Sequence, residues 1–137
     1  MRIDLHAHAF ADKIAERAMT ALMADMPPGY QAEDGRLGTL AAQLTASGFD
    51  AAVICSIATK PSQFDVILKW SEAIRNGAFG EAAARLAIPL LSVHPEDPER
   101  YQHIEQTARA GFKGIKLHPY YQGFALDSPT AIDLLDC

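Results

Sequence analysis

Two stretches, "ASGFDAAVI" at residues 46–54 and "ARAGFKGIK" at residues 108–116, share one organisation that decides the fold class. Each passes from the end of a helical pattern through a glycine and a phenylalanine into an apolar run. Gly48 and Gly111 stand where a helix C-terminal glycine belongs. They are 63 residues apart, which corresponds to about two βα units of roughly 30 residues each. The spacing predicts a chain of repeating strand and helix units.

Four apolar runs are predicted as strands, near residues 2–8, 51–58, 86–94 and 113–118. The second and third runs are almost continuously apolar, which is typical of strands covered on both faces of a parallel sheet. Helical spacing of apolar residues fills the segments between them. Alternating strands and helices indicate an α/β fold with a parallel sheet and right-handed crossovers, either doubly wound or closed into a barrel.

Helix boundaries are marked by residues that stop or start helices. Predicted helices cover residues 11–26, Leu37 to Gly48, and Phe64 to Gly77. A fourth begins with Asp97 as its cap and Pro98 in its first turn and ends at Gly111, and a last one begins at Ser128 and Pro129.

Composition excludes several classes of protein. With 137 residues, 49% of them hydrophobic, the chain has the content of one globular domain. The formal net charge is −5 and the Lys and Arg residues are scattered, so no nucleic-acid partner is predicted. The chain has neither a signal-peptide pattern nor a run of about 20 apolar residues, so we predict a cytoplasmic protein without a membrane partner. Cys55 and Cys137 form no disulfide framework; we predict a buried apolar residue and a frayed chain end.

The first strand carries two histidines, His6 and His8, in "MRIDLHAHAF". Side chains two apart on a strand share a face, so both imidazoles should point at one place, with Ile3 and Leu5 on the opposite, apolar face. Neutral imidazole is the commonest transition-metal ligand among side chains, and it suits Zn, Fe and Ni. His6 and His8 are therefore predicted as metal ligands; the alternative is two polar residues on a solvated strand face.

Two further histidines, His94 and His118, end the third and fourth predicted strands. Ligands of parallel α/β folds bind at the carboxyl ends of strands, so these histidines are predicted at the same rim as the first pair. His103 lies within a helical pattern and is predicted as a surface residue.

The fourth apolar run adds candidates for substrate contact. Lys116 and His118 share one face of it, and Tyr120 follows in the loop with Tyr121 and Phe124. Lys116, His118 and Tyr120 are predicted to bind substrate or to support the metal ligands. Whether Lys116 is a free amine, a carbamate bridging two cations or a solvated edge residue is left open, as is whether the aromatic rings wall a pocket or cover the barrel mouth.

"IDLHAHAF" at residues 3–10, followed in order by "GFKGIKLHPYYQGFALDSP" at residues 111–129, resembles the amidohydrolase superfamily of metal-dependent hydrolases. The likeness is greatest to the amidohydrolase-2 branch of predicted barrel hydrolases, which also contains aromatic-acid decarboxylases. It implies a (β/α)₈ TIM-type barrel whose first-strand histidines, here His6 and His8, bind a divalent metal, with zinc favoured over manganese or iron. That metal activates water for attack on a carbonyl, amide or ester carbon.

The resemblance also implies what the chain lacks. The family takes further ligands from histidines on strands five and six and an aspartate on strand eight, and some members carry a carbamylated lysine where Lys116 falls. His94 matches no ligand position. A complete barrel needs about 250 residues, so residues 1–137 are expected to form a single, incomplete first half, inactive alone. Its open sheet edges predict marginal stability or dependence on a partner copy, as in a homo-oligomer.

Three functions follow from these observations. The first is a metal-dependent hydrolase of the amidohydrolase type acting on a small organic substrate, with the catalytic acid–base residue unassigned in this chain. The second is a non-oxidative decarboxylase on the same scaffold. The third is a non-catalytic α/β binding module whose histidines bind adventitious metal or none.

Overall fold

A computed structural model describes residues 1–136 of the chain; Cys137, predicted as a frayed end, lies outside the described residues. The chain divides into two compact units. The first comprises Met1–Ile54 with Ala73–Ile88, and the second comprises Cys55–Glu72 with the chain from Pro89 onward.

Strands and helices alternate along the chain, as the sequence predicts. The strands are β1 (Ile3–Ala7), β2 (Ala51–Cys55) and β3 (Ala87–Leu90), which form a parallel sheet in the order β1-β2-β3. The helices are α1 (Asp12–Ala24), α2 (Leu37–Ala46), α3 (Phe64–Arg75), α4 (Glu81–Leu86), α5 (Arg100–Arg109), α6 (Pro119–Gln122) and α7 (Pro129–Leu135), with a 3₁₀ turn at Pro61–Gln63.

The two similar junctions of the sequence have the same backbone geometry. Gly48 has a φ of 67° and Gly111 a φ of 74°, a left-handed conformation that glycine adopts without a steric penalty. After α2, the N–H of Phe49 donates to the carbonyl of Leu44 at 2.9 Å. After α5, the N–H of Phe112 donates to the carbonyl of Thr107 at 3.2 Å. Both helices thus end in the same hydrogen-bonded glycine turn, which confirms Gly48 and Gly111 as helix C-terminal glycines.

β1 contains an irregularity that the sequence pattern did not predict. Its register with β2 shifts between Asp4 and Ala7, so that one extra residue lies in β1. The N–H of His6 turns to the Asp4 carboxylate, at 2.9 Å. The predicted apolar face is wrong at Leu5, whose side chain is 73% exposed, whereas Ala7 and Ala9 are buried.

The fourth predicted strand, residues 113–118, is present only as an isolated parallel bridge between Leu91 and Ile115. The backbone groups that a longer ladder would use are paired with side chains instead. The carbonyl of Lys116 accepts a hydrogen bond from the Ser92 hydroxyl at 2.8 Å, and the N–H of His118 donates to the Gln122 side chain at 2.7 Å. These contacts satisfy the polar backbone without a regular strand.

Other boundaries also differ from the prediction. The first three strands are shorter than the apolar runs near 2–8, 51–58 and 86–94, and Pro89 in β3 has no N–H to donate to a ladder. α4 was not predicted, because its alanine-rich segment leads into β3 without a turn residue. Asp97 is not the cap of α5. Its carboxylate accepts from the N–H of Glu99 at 2.9 Å in a turn before the helix, which begins at Arg100.

Each unit has its own apolar core. In the first, α2 packs against α4, and Leu37, Leu44, Ile54 and Leu86 are all buried. In the second, a cluster forms around α3 and α5, made of Phe64, Leu68, Leu91, Val93 and Phe112. Within residues 1–136, no helix has both the length and the apolar character needed to cross a membrane.

Gly35 provides a test of packing in the first unit. It has a φ of 72°, and a β-carbon added there would lie 2.6 Å from Cγ of Met19 and 3.2 Å from Cδ2 of Phe10. Gly29 has a φ of 85° with open space around it. Gly29→Ala should lower the free energy of unfolding by about 1–2 kcal/mol through backbone strain alone. Gly35→Ala should lower the free energy of unfolding by about 1–3 kcal/mol more than Gly29→Ala does, because the added methyl group overpacks the site. Urea unfolding of both variants measures the difference. Equal losses in the two variants would contradict this contact.

Candidate functional site

The two histidines of the first strand converge. Nε2 of His6 lies 3.1 Å from Nε2 of His8, and the ring centroids are 5.0 Å apart with the planes tilted by 55°. The prediction that both imidazoles point at one place is confirmed. His6 is exposed and His8 is half-buried, so the paired nitrogens can be reached from solvent.

The separation of the two nitrogens suits either a shared proton or a shared cation. At 3.1 Å, one Nε2–H can donate to the other Nε2. Zinc binds histidine nitrogen at about 2.0–2.1 Å in tetrahedral geometry, which places two such nitrogens about 3.3 Å apart. The pair therefore fits two positions of a zinc coordination shell after a small adjustment.

The remaining ligands of such a shell are not assembled in this chain. Asp4, the nearest acidic residue in sequence, accepts the N–H of His6 with its carboxylate. Across residues 1–136, no group of three or more His, Cys, Asp or Glu side chains is placed to hold a metal ion. His6 and His8 thus supply two ligands, fewer than the three or four that a catalytic site takes from protein.

In the second unit, two buried polar side chains join the segments that follow the predicted strands. The hydroxyl of Ser92 accepts from the N–H of Ala58 at 2.9 Å and donates to the carbonyl of Lys116 at 2.8 Å. The amide of Gln122 donates to the carbonyls of Ala58, at 3.1 Å, and Val93, at 3.0 Å. Its oxygen also accepts the N–H of His118 at 2.7 Å. We call Ser92 and Gln122 the polar clamp.

The polar clamp fixes the segment that carries the predicted substrate contacts. Lys116 and His118 are half-buried, whereas Tyr120 is 72% exposed. Nδ1 of His118 accepts the N–H of Tyr121 at 3.4 Å and caps α6, and the ring lies 4.6 Å from that of Tyr121. The ring of Tyr120 packs edge-on against that of Tyr121, at 5.2 Å. The ring of Tyr121 therefore contacts both His118 and Tyr120.

His94 and His103 both lie in the second unit, and the position of His103 differs from its prediction. His94 is 6% exposed, and its Nδ1 accepts the N–H of Glu96 at 3.1 Å. His103 is not a surface residue: its side chain is 15% exposed, its ring stacks on Phe64 at 3.9 Å, and its Nδ1 lies 2.8 Å from the buried Asp97 carboxylate. Helical periodicity could not predict this partner, because Asp97 precedes the helix.

Two groups with shifted pKa values, Tyr101 and Asp34, lie outside the histidine sites. The hydroxyl of Tyr101 donates to the carboxylate of Asp133, which raises the pKa of Tyr101 above its usual value and ties α5 to α7. The N–H of Arg36 holds the pKa of Asp34 below its usual value, at the start of α2. Both groups are exposed.

Comparison with known proteins finds no matching family model, no matching curated protein and no matching solved structure. The arrangement of the residues brings together two groups of polar side chains. It brings His6 to His8 in the first unit, and it links the backbones of Val93, Lys116 and His118 through the polar clamp in the second.

The polar clamp was missed by sequence reasoning, although its residues carry a signal. Ser92 interrupts an otherwise apolar run, and Gln122 follows two tyrosines in a short loop. A lone polar residue in a buried run must find a hydrogen-bond partner, and here the partners are backbone groups of neighbouring segments.

Replacing Gln122 by Leu should destabilise the second unit strongly. The change leaves the carbonyls of Ala58 and Val93 and the N–H of His118 without their partner. Each unpaired group should lower the free energy of unfolding by about 1–3 kcal/mol. Urea unfolding should show a loss of about 3 kcal/mol or more. Gln102→Leu, at an exposed position of α5, is the matched control and should change stability by less than about 0.5 kcal/mol. Similar losses in both variants would show that the clamp contributes little.

Proposed function

We propose that this chain is the amino-terminal half of a (β/α)₈ barrel hydrolase of the amidohydrolase type, which acts on a small organic substrate in the cytoplasm. His6 and His8 hold a divalent cation, zinc in preference to manganese or iron. The observation that carries the proposal is the convergence of their Nε2 atoms, 3.1 Å apart, at the end of β1.

The order of the strands supports a barrel over a doubly wound sheet. The order β1-β2-β3 follows the chain, and the bridge from Leu91 to Ile115 adds the fourth run in sequence. Barrels add each strand beside the previous one, whereas doubly wound sheets reverse their order at a switch point. The same order leaves an outer edge at β1, where a closing half or a partner copy would pair.

A cation held by the two histidines would lower the pKa of a bound water towards neutrality and so provide a nucleophile for a carbonyl, amide or ester carbon. The residues of this chain have separate tasks in the proposal. His6 and His8 of the first unit offer Nε2 lone pairs to the cation. Separately, Lys116, His118 and Tyr120 of the second unit are the residues that we propose as substrate contacts. The acid–base group that completes the reaction would come from outside this half.

Zinc binding tests the proposal directly. The purified chain should bind one zinc ion weakly, since only two ligands are present, and calorimetry with zinc in excess measures this binding. His6→Ala and His8→Ala should each weaken binding by at least the roughly 10- to 100-fold that loss of an outer contact costs, and the double variant should retain none. Acid should release the metal, because protons compete for both Nε2 atoms.

A matched control removes an imidazole elsewhere. His94→Asn keeps an acceptor for the N–H of Glu96 and should leave zinc binding unchanged. Stoichiometric zinc in the double variant, or no zinc in the wild-type chain, would refute the assignment and favour the non-catalytic binding module. Products separate the two enzyme classes: hydrolysis yields a new acid and an alcohol or amine, whereas decarboxylation takes up a proton and releases carbon dioxide.

A further inference from the structure

The loop between α1 and α2 contains two adjacent prolines followed by glycine and tyrosine, "PPGY" at residues 27–30. Every residue from 24 to 34 is exposed, and the exposed fraction of Tyr30 is 54%. The cation site proposed at His6 and His8 does not involve this segment. Exposed loops on a fixed scaffold often carry binding residues, so the segment is a candidate for contact with another molecule.

The four residues form a hydrogen-bonded turn. The N–H of Tyr30 donates to the carbonyl of Pro27 at 3.1 Å, and Gly29 has a φ of 85°. Proline at the second position, here Pro28, and a left-handed glycine at the third are typical of a type II turn. Such a turn keeps the first and fourth α-carbons within about 7 Å of each other. The tyrosine is therefore held close to the prolines.

The prolines also restrict the backbone that leads into the turn. Each proline ring holds its own φ near about −65°, and a residue that precedes proline is kept out of the helical region. Met26 and Pro27 both precede a proline. This part of the chain is thereby biased towards the polyproline II conformation, so little conformational entropy is lost when a partner binds it.

Both ends of the exposed segment are attached to ordered parts of the first unit. Before it, α1 ends at Ala24. After it, the carbonyl of Gly35 accepts the N–H of Phe10 at 2.8 Å, and Arg36 forms a parallel bridge with the same phenylalanine. The proline and tyrosine residues are thus presented to solvent from a fixed base.

The charged residues of the segment all have the same sign. Residues 24–34 include Asp25, Glu33 and Asp34 and contain no Lys or Arg. Arg36, just after the segment, lies 3.9 Å from the Asp34 carboxylate and balances only that charge in part. The remaining negative charge favours a partner that has basic residues beside its binding groove.

We propose that residues 26–30 are a docking motif for a protein module of the WW type, whose groove is lined by aromatic rings and binds adjacent prolines. The two pyrrolidine rings bury apolar surface in that groove without burying a backbone donor, because proline has no N–H. The ring of Tyr30 enters a pocket beside the groove, and its hydroxyl meets a polar group there. This interaction does not depend on the proposed hydrolase function.

Calorimetry of the full chain tests the motif, with a purified WW domain that binds proline-proline-x-tyrosine peptides as the probe. The wild-type chain should bind one domain, and binding should weaken as salt is added, because salt screens the acidic segment. Tyr30→Ala and Pro28→Ala should each weaken binding at least about tenfold, since a few anchor residues supply most of the affinity of an interface. Tyr30 is exposed, so the urea midpoint of Tyr30→Ala should equal that of the wild type.

Gln31→Ala, at the exposed position next to the motif, is the matched control and should leave binding unchanged. An SH3 domain should not bind, because it takes two prolines separated by two residues, and the third residue after Pro27 is a tyrosine. The proposal is overturned if the chain does not bind the WW domain, binds both domains alike, or binds equally well as Tyr30→Ala. None of these outcomes alters zinc binding at His6 and His8, so the two proposals fail separately.

Discussion

The buried amide of Gln122 is the contact on which the second unit depends. It is 4% exposed, and its two ends satisfy backbone groups from three separate segments. A regular strand would satisfy such groups by a ladder with its neighbour. Here a side chain replaces the ladder, so the backbone near His118 can leave strand geometry and enter the turn that begins α6.

In the first unit, β1 also has a backbone group that is paired with a side chain and not with the neighbouring strand. The Asp4 carboxylate accepts the N–H of His6, and the register with β2 shifts by one residue. This irregularity lies in the same few residues as the convergence of His6 and His8. A bulge changes the direction of nearby side chains, so the two features are consistent with each other. In both units, backbone groups that leave the sheet next to histidines are paired with polar side chains.

The sequence was sufficient to predict what depends on local pattern. The glycine turns at Gly48 and Gly111, the cap at Ser128 and the convergence of His6 with His8 are confirmed, because each depends on a few neighbouring residues. Contacts between distant segments could not be predicted. The stacking of His103 on Phe64 and the reach of Gln122 to Ala58 join residues 39 and 64 positions apart, and no short-range periodicity reports them.

The extra residue in β1 has a consequence for how the exposed edge of the sheet meets other chains. A strand laid against that edge would find its hydrogen-bonding groups out of phase past the irregularity, unless it carried a compensating insertion of its own. Flat, uniform segments, which stack into fibrils, are thereby poor partners for it. The outward side chain of Leu5 adds exposed apolar surface at this edge. The irregular spacing of the backbone hydrogen-bonding groups beneath it favours a strand with a matching irregularity and disfavours pairing with a regular strand.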